Sequence, residues 1–335
     1  MSRSRSFAVL VLAIVLAVVM SACAPAMAPT PMASTSATAA PTLVSVSPEP
    51  TTSATVYPLS LKDDLGRQVT VGQQPTRIVS LAPSNTEILF AIGAGSQVVG
   101  VTKYCNYPPE AAQEREIVGG FSADSLSVEK ILALKPDIVF SAGSIQRPII
   151  EALEAAQVTV FALEAEDFAE LYTDIMAVGD ITGHEQEAEQ VVEDMQARVE
   201  KIAAIVAGIP QDQRVKVFYE VWDEPLMTAG PRTFIGQVIE IAGGINIFAD
   251  LEEEYPTVSA EAVVERNPDV ILGPSSHAEG MTAEKIGARP GWQEVKAVQN
   301  GRVLIIDGDI ISRAGPRLVA ALEEVARALY PHWFQ

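Results

Sequence analysis

Apolar residues along this chain recur at two spacings, and the spacing changes every ten or so positions. Residues 57–72, YPLSLKDDLGRQVTVG, alternate around Asp64, Leu65 and Gly66, which predicts a β-hairpin turning at the glycine. RIVSLA (77–82) is a short apolar strand. Pro83, Ser84 and Asn85 interrupt it, and Thr86 to Ile92 follows as a helix closed by Gly93 and Gly95. VVGVT (98–102) is the next strand. The VEKILAL helix, the DIVFSA strand, the RPIIEALEAA helix and the VTVFAL strand come after it. Strands alternating with helices across short loops predict a parallel sheet covered on both faces.

From Asp167 to Gly208 the strand spacing stops. DFAELYTDIMAVGDITG reads as one helix, and residues 184–208 as a longer one. Ala188, Val191, Val192, Met195, Val199 and Ile202 stand on one face of it. At the usual rise this helix spans about 35 Å. The alternation then restarts with the RVKVFYEV strand and the TFIGQVIEIAGG helix, whose Gly-Gly end matches TEILFAIGAG. SAEAVVERNPDVILG is helix then strand, RVLIID is a strand, and PRLVAALEEVARALYP is a final amphipathic helix. The expected class is α/β: two similar lobes with mainly parallel sheets, residues 57–183 and 209–335, joined by a single long helix over 184–208. A ligand cleft is expected between the lobes. A helical connector predicts a stiff pair with modest closure.

One segment occurs twice. SVEKILALKPD runs from Ser127 to Asp137, and SAEAVVERNPD from Ser259 to Asp269, 132 positions later. Ser127, Glu129, Pro136 and Asp137 each have an identical counterpart, and Ile131 and Leu132 are answered by Val263 and Val264. The apolar positions suit a core, and Pro-Asp marks the entry to a strand. The glutamate is the shared choice that a core does not require. A carboxylate is also favourable at a helix N-terminus, and both roles fit one residue.

The amino end adds a location. Arg3 and Arg5 precede an apolar run from Phe7 to Met20 and then SACA, the layout of a secretory signal over residues 1–22. MSAC resembles the bacterial lipobox, which makes Cys23 the expected lipid-attachment residue. A plain secretion signal leaving a free cysteine is the alternative. Residues 23–56 are Ala, Pro, Thr and Ser with few large apolar residues. They cannot bury enough surface to offset their ordering entropy, so a disordered tether is expected. The protein is therefore expected outside the cytoplasm, held to the cell membrane by its lipid. The net charge is −20, and −22 once Arg3 and Arg5 leave with the signal. That excludes nucleic acid as a partner. Cys105 is the only cysteine besides Cys23, so the body has no internal disulfide and is stabilised by its cores.

RIVSLAPSNTEILFAIGAG, YCNYPPEA, EKILALKPDIV, FYEVWDEPLMTAG, GGINIFAD and SRAGPRLV together resemble the helical-backbone substrate-binding proteins of ABC importers, over residues 60 to 332. Among these the chain is most similar to the cobalamin-binding branch. The resemblance implies a monomeric body that captures a bulky chelate, a corrinoid above all, and hands it to a permease dimer driven by its ATPase. A ferric siderophore or haem is the alternative ligand, and no further cofactor is implied. It also implies that Glu129 and Glu261 dock into arginine pockets on the two permease halves, where charge-assisted Arg–carboxylate bonds are directional. A non-transporting extracytoplasmic sensor is the alternative of a different class.

Ligands of such folds lie beyond the carboxyl ends of the strands, where the lobes face each other. Tyr104, Phe121, Trp222, Asp309 and Arg313 follow strands or sit in loops in this way, and Tyr255 lies just before PTVS. Residues matching Tyr104, Phe121, Tyr255, Asp309 and Arg313 line the cleft of the cobalamin branch, with aromatics on the corrin and the polar pair on its amides. Aromatics are only 6% of the chain, so those at loop tips carry information that ordinary packing would not need. The chain departs from the branch in a small residue near Ala142, and in Ile310 and Ile311 where aromatics are expected. Arg147 and Arg232 are candidate contacts for an anionic ligand, with a solvated surface as the plainer reading. His184, His277 and His332 lack metal-ligand spacing. Cys105 reads as a packed thiol. No nucleophile elbow, P-loop or dinucleotide fingerprint occurs, so the chain does not read as an enzyme.

Overall fold

A computed structural model describes residues 55–275 and 283–334. The signal segment, Cys23, the tether as far as residue 54 and His277 lie outside the described residues. The chain opens with a hairpin, β1 (Leu59–Lys62) paired antiparallel with β2 (Gln68–Val71). Gly66 adopts φ 77° in its turn, a conformation glycine takes without a Cβ penalty. Asp63 ties the hairpin to the first lobe, because its carboxylate accepts from the backbone N–H of Ala162 at 3.1 Å.

The first lobe runs β3 (Ile78–Ser80), α1 (Pro83–Ala91), β4 (Val98–Val101), α2 (Pro109–Glu114), β5 (Glu116–Ile117), α3 (Val128–Ala133), β6 (Ile138–Ser141), α4 (Arg147–Ala155) and β7 (Val160–Ala162). Its sheet has the order β5-β4-β3-β6-β7, every pair parallel. Helices α5 (Phe168–Thr182) and α6 (Glu185–Ala207) follow. The second lobe runs β8 (Lys216–Asp223), β9 (Leu226–Thr228), α7 (Phe234–Ile241), β10 (Ile245–Asn246), α8 (Ala260–Arg266), β11 (Val270–Pro274), α9 (Ala283–Gly287), α10 (Lys296–Gln299), β12 (Val303–Ile306), α11 (Gly308–Ile311) and α12 (Leu318–Leu329). Its parallel order is β10-β8-β11-β12, with β9 folded back antiparallel on β8. The expected class, two α/β lobes with mainly parallel sheets and a long helix between them, is the class found. Among the described residues no helix is long and apolar enough to cross a membrane.

Two local expectations change. Helix α1 starts at Pro83 rather than Thr86. Proline at the first helical position loses only an N–H that has no intrahelical partner. Strand β8 runs on to Asp223 and turns back as β9, a three-residue return too short to announce itself by periodicity.

Strand alternation builds the cores. Ile78, Phe140 and Phe161 of the first sheet, and Val217, Tyr219, Val270 and Leu272 of the second, face one continuous core that includes α5, α6 and α12. Their neighbours Val79, Val139, Val160 and Ala162 point the other way into an outer core of the first lobe. Phe218 and Ile271 do the same in the second, around the buried Trp292. The connecting helices therefore sit inside the shared core, which joins the lobes through side chains as well as through the chain.

The repeated segment has the same structural work in both lobes. Ser127 and Ser259 are helix N-caps, accepting from the N–H of Lys130 at 3.2 Å and of Ala262 at 3.1 Å. The carboxylate of Asp137 accepts from the N–H groups of Thr76 and Arg77, at 2.7 and 2.9 Å, where β3 begins. That of Asp269 accepts from Lys216 N–H at 2.9 Å, where β8 begins. Each Asp thus fastens the entry of its own strand to that of the neighbouring central strand.

One buried acid works against stability at high pH. Asp174 of α5 is 5% exposed. Burial first, and then the charge of Asp64, pushes its carboxyl up to about 9. Asp64 is itself raised by burial, so the two share a proton. The folded value lies above the unfolded one, so the folded state holds more protons between them and stability falls as pH rises through that window. Asp174→Asn should remove this slope. Sharing with Asp64 damps the limit of about 1.4 kcal/mol per pH unit, and the variant should gain roughly 2 kcal/mol over wild type between pH 5 and pH 8. Thermal melts at the two pH values measure this.

Candidate functional site

The loops at the carboxyl ends of β3, β4, β5 and β6 meet α11 across the gap between the lobes. They enclose a cavity of about 610 Å³, walled by Ser84, Tyr104, Phe121 and Ala142 on one side and by Asp309 and Arg313 on the other. Buried Gln146 fixes the first wall. Its amide N–H groups donate to the carbonyls of Leu81 at 2.9 Å and Phe121 at 2.7 Å, and its oxygen accepts from Ala142 N–H at 2.8 Å. One side chain thus sets three cleft loops. Tyr104 remains 49% exposed, and the Lys103 ammonium lies 5.0 Å from the centre of its ring. Ala142 is half-buried on the same wall.

The second wall is organised by ions. Glu87 of α1 is only 3% exposed, and it receives two arginines from the other lobe. Arg317 donates Nε to one of its oxygens at 2.8 Å and Nη2 to the other at 2.7 Å. Arg313 Nη1 donates to it at 3.0 Å. Asn106 completes the contact, accepting from Arg313 Nη1 at 2.7 Å and donating to Asp309 at 2.7 Å. Asp309 accepts from Arg313 Nη2 at 2.6 Å. The Arg317 guanidinium also lies 4.0 Å from the centre of the Tyr107 ring. The bond to Glu87 pushes Arg317 further up from its ordinary value. Glu87 and Arg317 line a second cavity, about 640 Å³, which also touches α6 and α12.

Four of the six expected cleft residues, Tyr104, Phe121, Asp309 and Arg313, thus line one cavity. Trp222 and Tyr255 do not line it. Trp222 stands near the end of β8, where its indole N–H donates to Glu224 O at 2.9 Å. Tyr255 is 38% exposed, just ahead of buried Pro256. Arg147 is exposed at the start of α4, and Arg232 donates to the Glu252 carbonyl. Cys105 is buried, with Sγ against the hydroxyls of Thr86 at 3.1 Å and Thr102 at 3.2 Å. Burial pushes its thiol up, so it stays protonated. His184 precedes α6, its ring bonded to the Thr182 carbonyl at 3.1 Å. Glu129 and Glu261 sit in the first turns of α3 and α8, exposed and without an ion-pair partner among the described residues.

Glu87, Asn106 and Gln146 were not singled out from the sequence. The signal for Glu87 was a charged residue inside the otherwise apolar TEILFAIG helix.

Residues 78–310 match the model of a family described as periplasmic binding protein. The chain belongs to that family. A periplasmic binding protein holds a ligand without transforming it, so this protein is a carrier and not an enzyme. The chain is 36% identical over 285 residues to the uncharacterized ABC transporter substrate-binding lipoprotein YvrC of Bacillus subtilis, covering 84% of this chain and 88% of that one. Two solved periplasmic binding proteins share its architecture. The vitamin B12 binding protein BtuF of Vibrio cholerae matches at TM-score 0.66 and 30% identity, over 78% of this chain and 99% of that one. The haem-binding protein RhuT of Roseiflexus matches at TM-score 0.69 and 28% identity, over 79% of this chain and all of that one.

Proposed function

We propose that the protein is the extracytoplasmic receptor of an ABC importer that captures cobalamin in the cleft between its lobes. The observation that carries this reading is the 610 Å³ cavity, with Tyr104 and Phe121 presented from rigid loops on one lobe and a polar wall on the other. Flat aromatic surfaces suit the face of a macrocycle, and the serine hydroxyls and the Asp309–Arg313 pair suit the amides on a corrin rim. The likeness to BtuF supports the same ligand. The likeness to RhuT favours haem as the second reading, with ferric siderophores beside it.

Delivery follows from the repeat. Exposed Glu129 and Glu261, one on each lobe, form a two-point key for a two-fold permease energised by its ATPase. Each has an apolar hollow at its side, one lined by Val128, Ile145 and Ile149, the other by Ala260, Val264 and Pro290. The body acts as a monomer, and a lipid on Cys23 holds it near the permease, with YvrC as a relative named a lipoprotein.

The test uses purified protein incubated separately with cyanocobalamin, haemin and a ferric siderophore, desalted, and read by absorbance and calorimetry. The corrin spectrum should co-elute at one equivalent. Co-elution of haemin or the iron chelate, with no retained cobalamin, overturns the cobalamin reading.

A further inference from the structure

The two terminal nitrogens of Arg313 carry four N–H groups, and each has an acceptor within the protein. Nη1 donates to Glu87 at 3.0 Å and Asn106 at 2.7 Å. Nη2 donates to Asp309 at 2.6 Å and to the Tyr104 carbonyl at 3.4 Å. Only Nε–H is left, so the forked face that a guanidinium offers to a carboxylate is occupied. The group of Glu87, Asp309, Arg313 and Arg317 pairs two carboxylates with two guanidiniums. Its members line both cavities, Glu87 and Arg317 one, Asp309 and Arg313 the other. A ligand carboxylate reaching Arg313 would have to displace Glu87 or Asp309, and displacing Glu87 leaves its buried carboxylate with Arg317 as its single counter-charge.

We infer that Glu87 is a positioning residue of the cleft: by holding Arg313 from the opposite lobe, it turns the second wall into a neutral surface that selects against ligands with anionic rims. The selectivity rests on the carrier function proposed above. The holding of Arg313 does not depend on it. Lys103, the other cation on the cavity wall, lies outside this group, over the Tyr104 ring, and serves as the internal reference for any remaining anion affinity.

Three proteins test the inference: wild type, Glu87→Gln and Arg317→Met. Glu87→Gln keeps the side-chain shape and removes the one of Arg313's two carboxylate partners that comes from the opposite lobe, leaving Asp309 in place. Arg317→Met weakens the same lobe contact but leaves Glu87 on Arg313. Without ligand, hydrogen exchange should rise in Glu87→Gln within residues 103–107 and 308–317 and stay unchanged in both sheets. Unchanged exchange in those two segments overturns the positioning role. With ligand, calorimetry compares haemin, which has two propionates, with cyanocobalamin, whose rim is amide. The haemin-to-cobalamin affinity ratio should rise about tenfold in Glu87→Gln and stay within about twofold of wild type in Arg317→Met. An equal ratio in all three proteins overturns the selectivity role, as does a rise in Arg317→Met equal to that in Glu87→Gln, which would mark loosening alone. If wild type retains neither ligand, the cobalamin proposal falls, and the exchange measurement alone decides the place of Glu87.

Discussion

Reversing both docking charges, Glu129→Lys with Glu261→Lys, is expected to abolish uptake by cells while the purified protein keeps its ligand affinity within about twofold. Both carboxylates are exposed, and neither lines the cleft, so capture and delivery separate cleanly. A charge-assisted hydrogen bond contributes about 1.5–3 kcal/mol. Against the arginine pockets that the proposed docking implies, a lysine adds a repulsion of several kcal/mol at each point. Two such points together lower uptake by more than about 100-fold, and either single reversal leaves an intermediate rate. The measurement is radiolabelled ligand uptake in cells expressing each variant at equal level. Normal uptake with weakened ligand binding would move both glutamates into the binding site and end the docking assignment.

Arg289→Ala is expected to be the most destabilising single change in the second lobe. Glu220 of β8 is fully buried and forms a forked ion pair with Arg289, whose Nη2 donates to it at 2.6 Å. The Arg289 guanidinium also lies 4.9 Å from the centre of the Trp292 ring. Trp292 packs edge-on against Phe218 at 5.9 Å. Removing the arginine leaves a buried carboxylate without its counter-charge, a loss of about 3–5 kcal/mol. For a body of this size that lowers Tm by about 10 °C. Burial already raises the Glu220 carboxyl, against the pull of Arg289, and without the arginine it rises further. The folded value then stands further above the unfolded one than in wild type, so the deficit is largest at alkaline pH and shrinks as pH falls toward the unfolded carboxylate value. Melting curves of wild type and variant at pH 5 and pH 8 check both size and sign. A deficit that does not depend on pH would mean that lost packing, rather than the stranded charge, sets the cost.

Much of the architecture was legible because a strand buried on both faces and a helix packed on one leave different spacings in the chain. Val79 and Val139 go to one core while Ile78 and Phe140 go to the other, and the short apolar runs already carry that division. The cleft was legible in part. Tyr104 and Phe121 stood out because aromatics are scarce and sit at loop tips. Trp222 also follows a strand-like stretch, but β8 continues as a hairpin, and both Trp222 and Tyr255 stand outside the cavity wall. Glu87 was hidden for a different reason. A lone glutamate in a helix reads as a solvated position unless its partner is known, and Arg313 and Arg317 lie 226 and 230 residues away. Asn106 and Gln146 act through backbone groups and charges from several loops, and no local pattern encodes such convergence.

The paired aspartates set the extent of the repeated unit. Asp137 and Asp269 each tie the strand they open to the central strand of the same lobe. A repeat of the helix alone would lack that tie. The unit that recurs is therefore a helix together with its following strand and the edge it fastens. Between the two copies the apolar positions differ, while the serine that caps the helix and the aspartate that fastens the strand are identical.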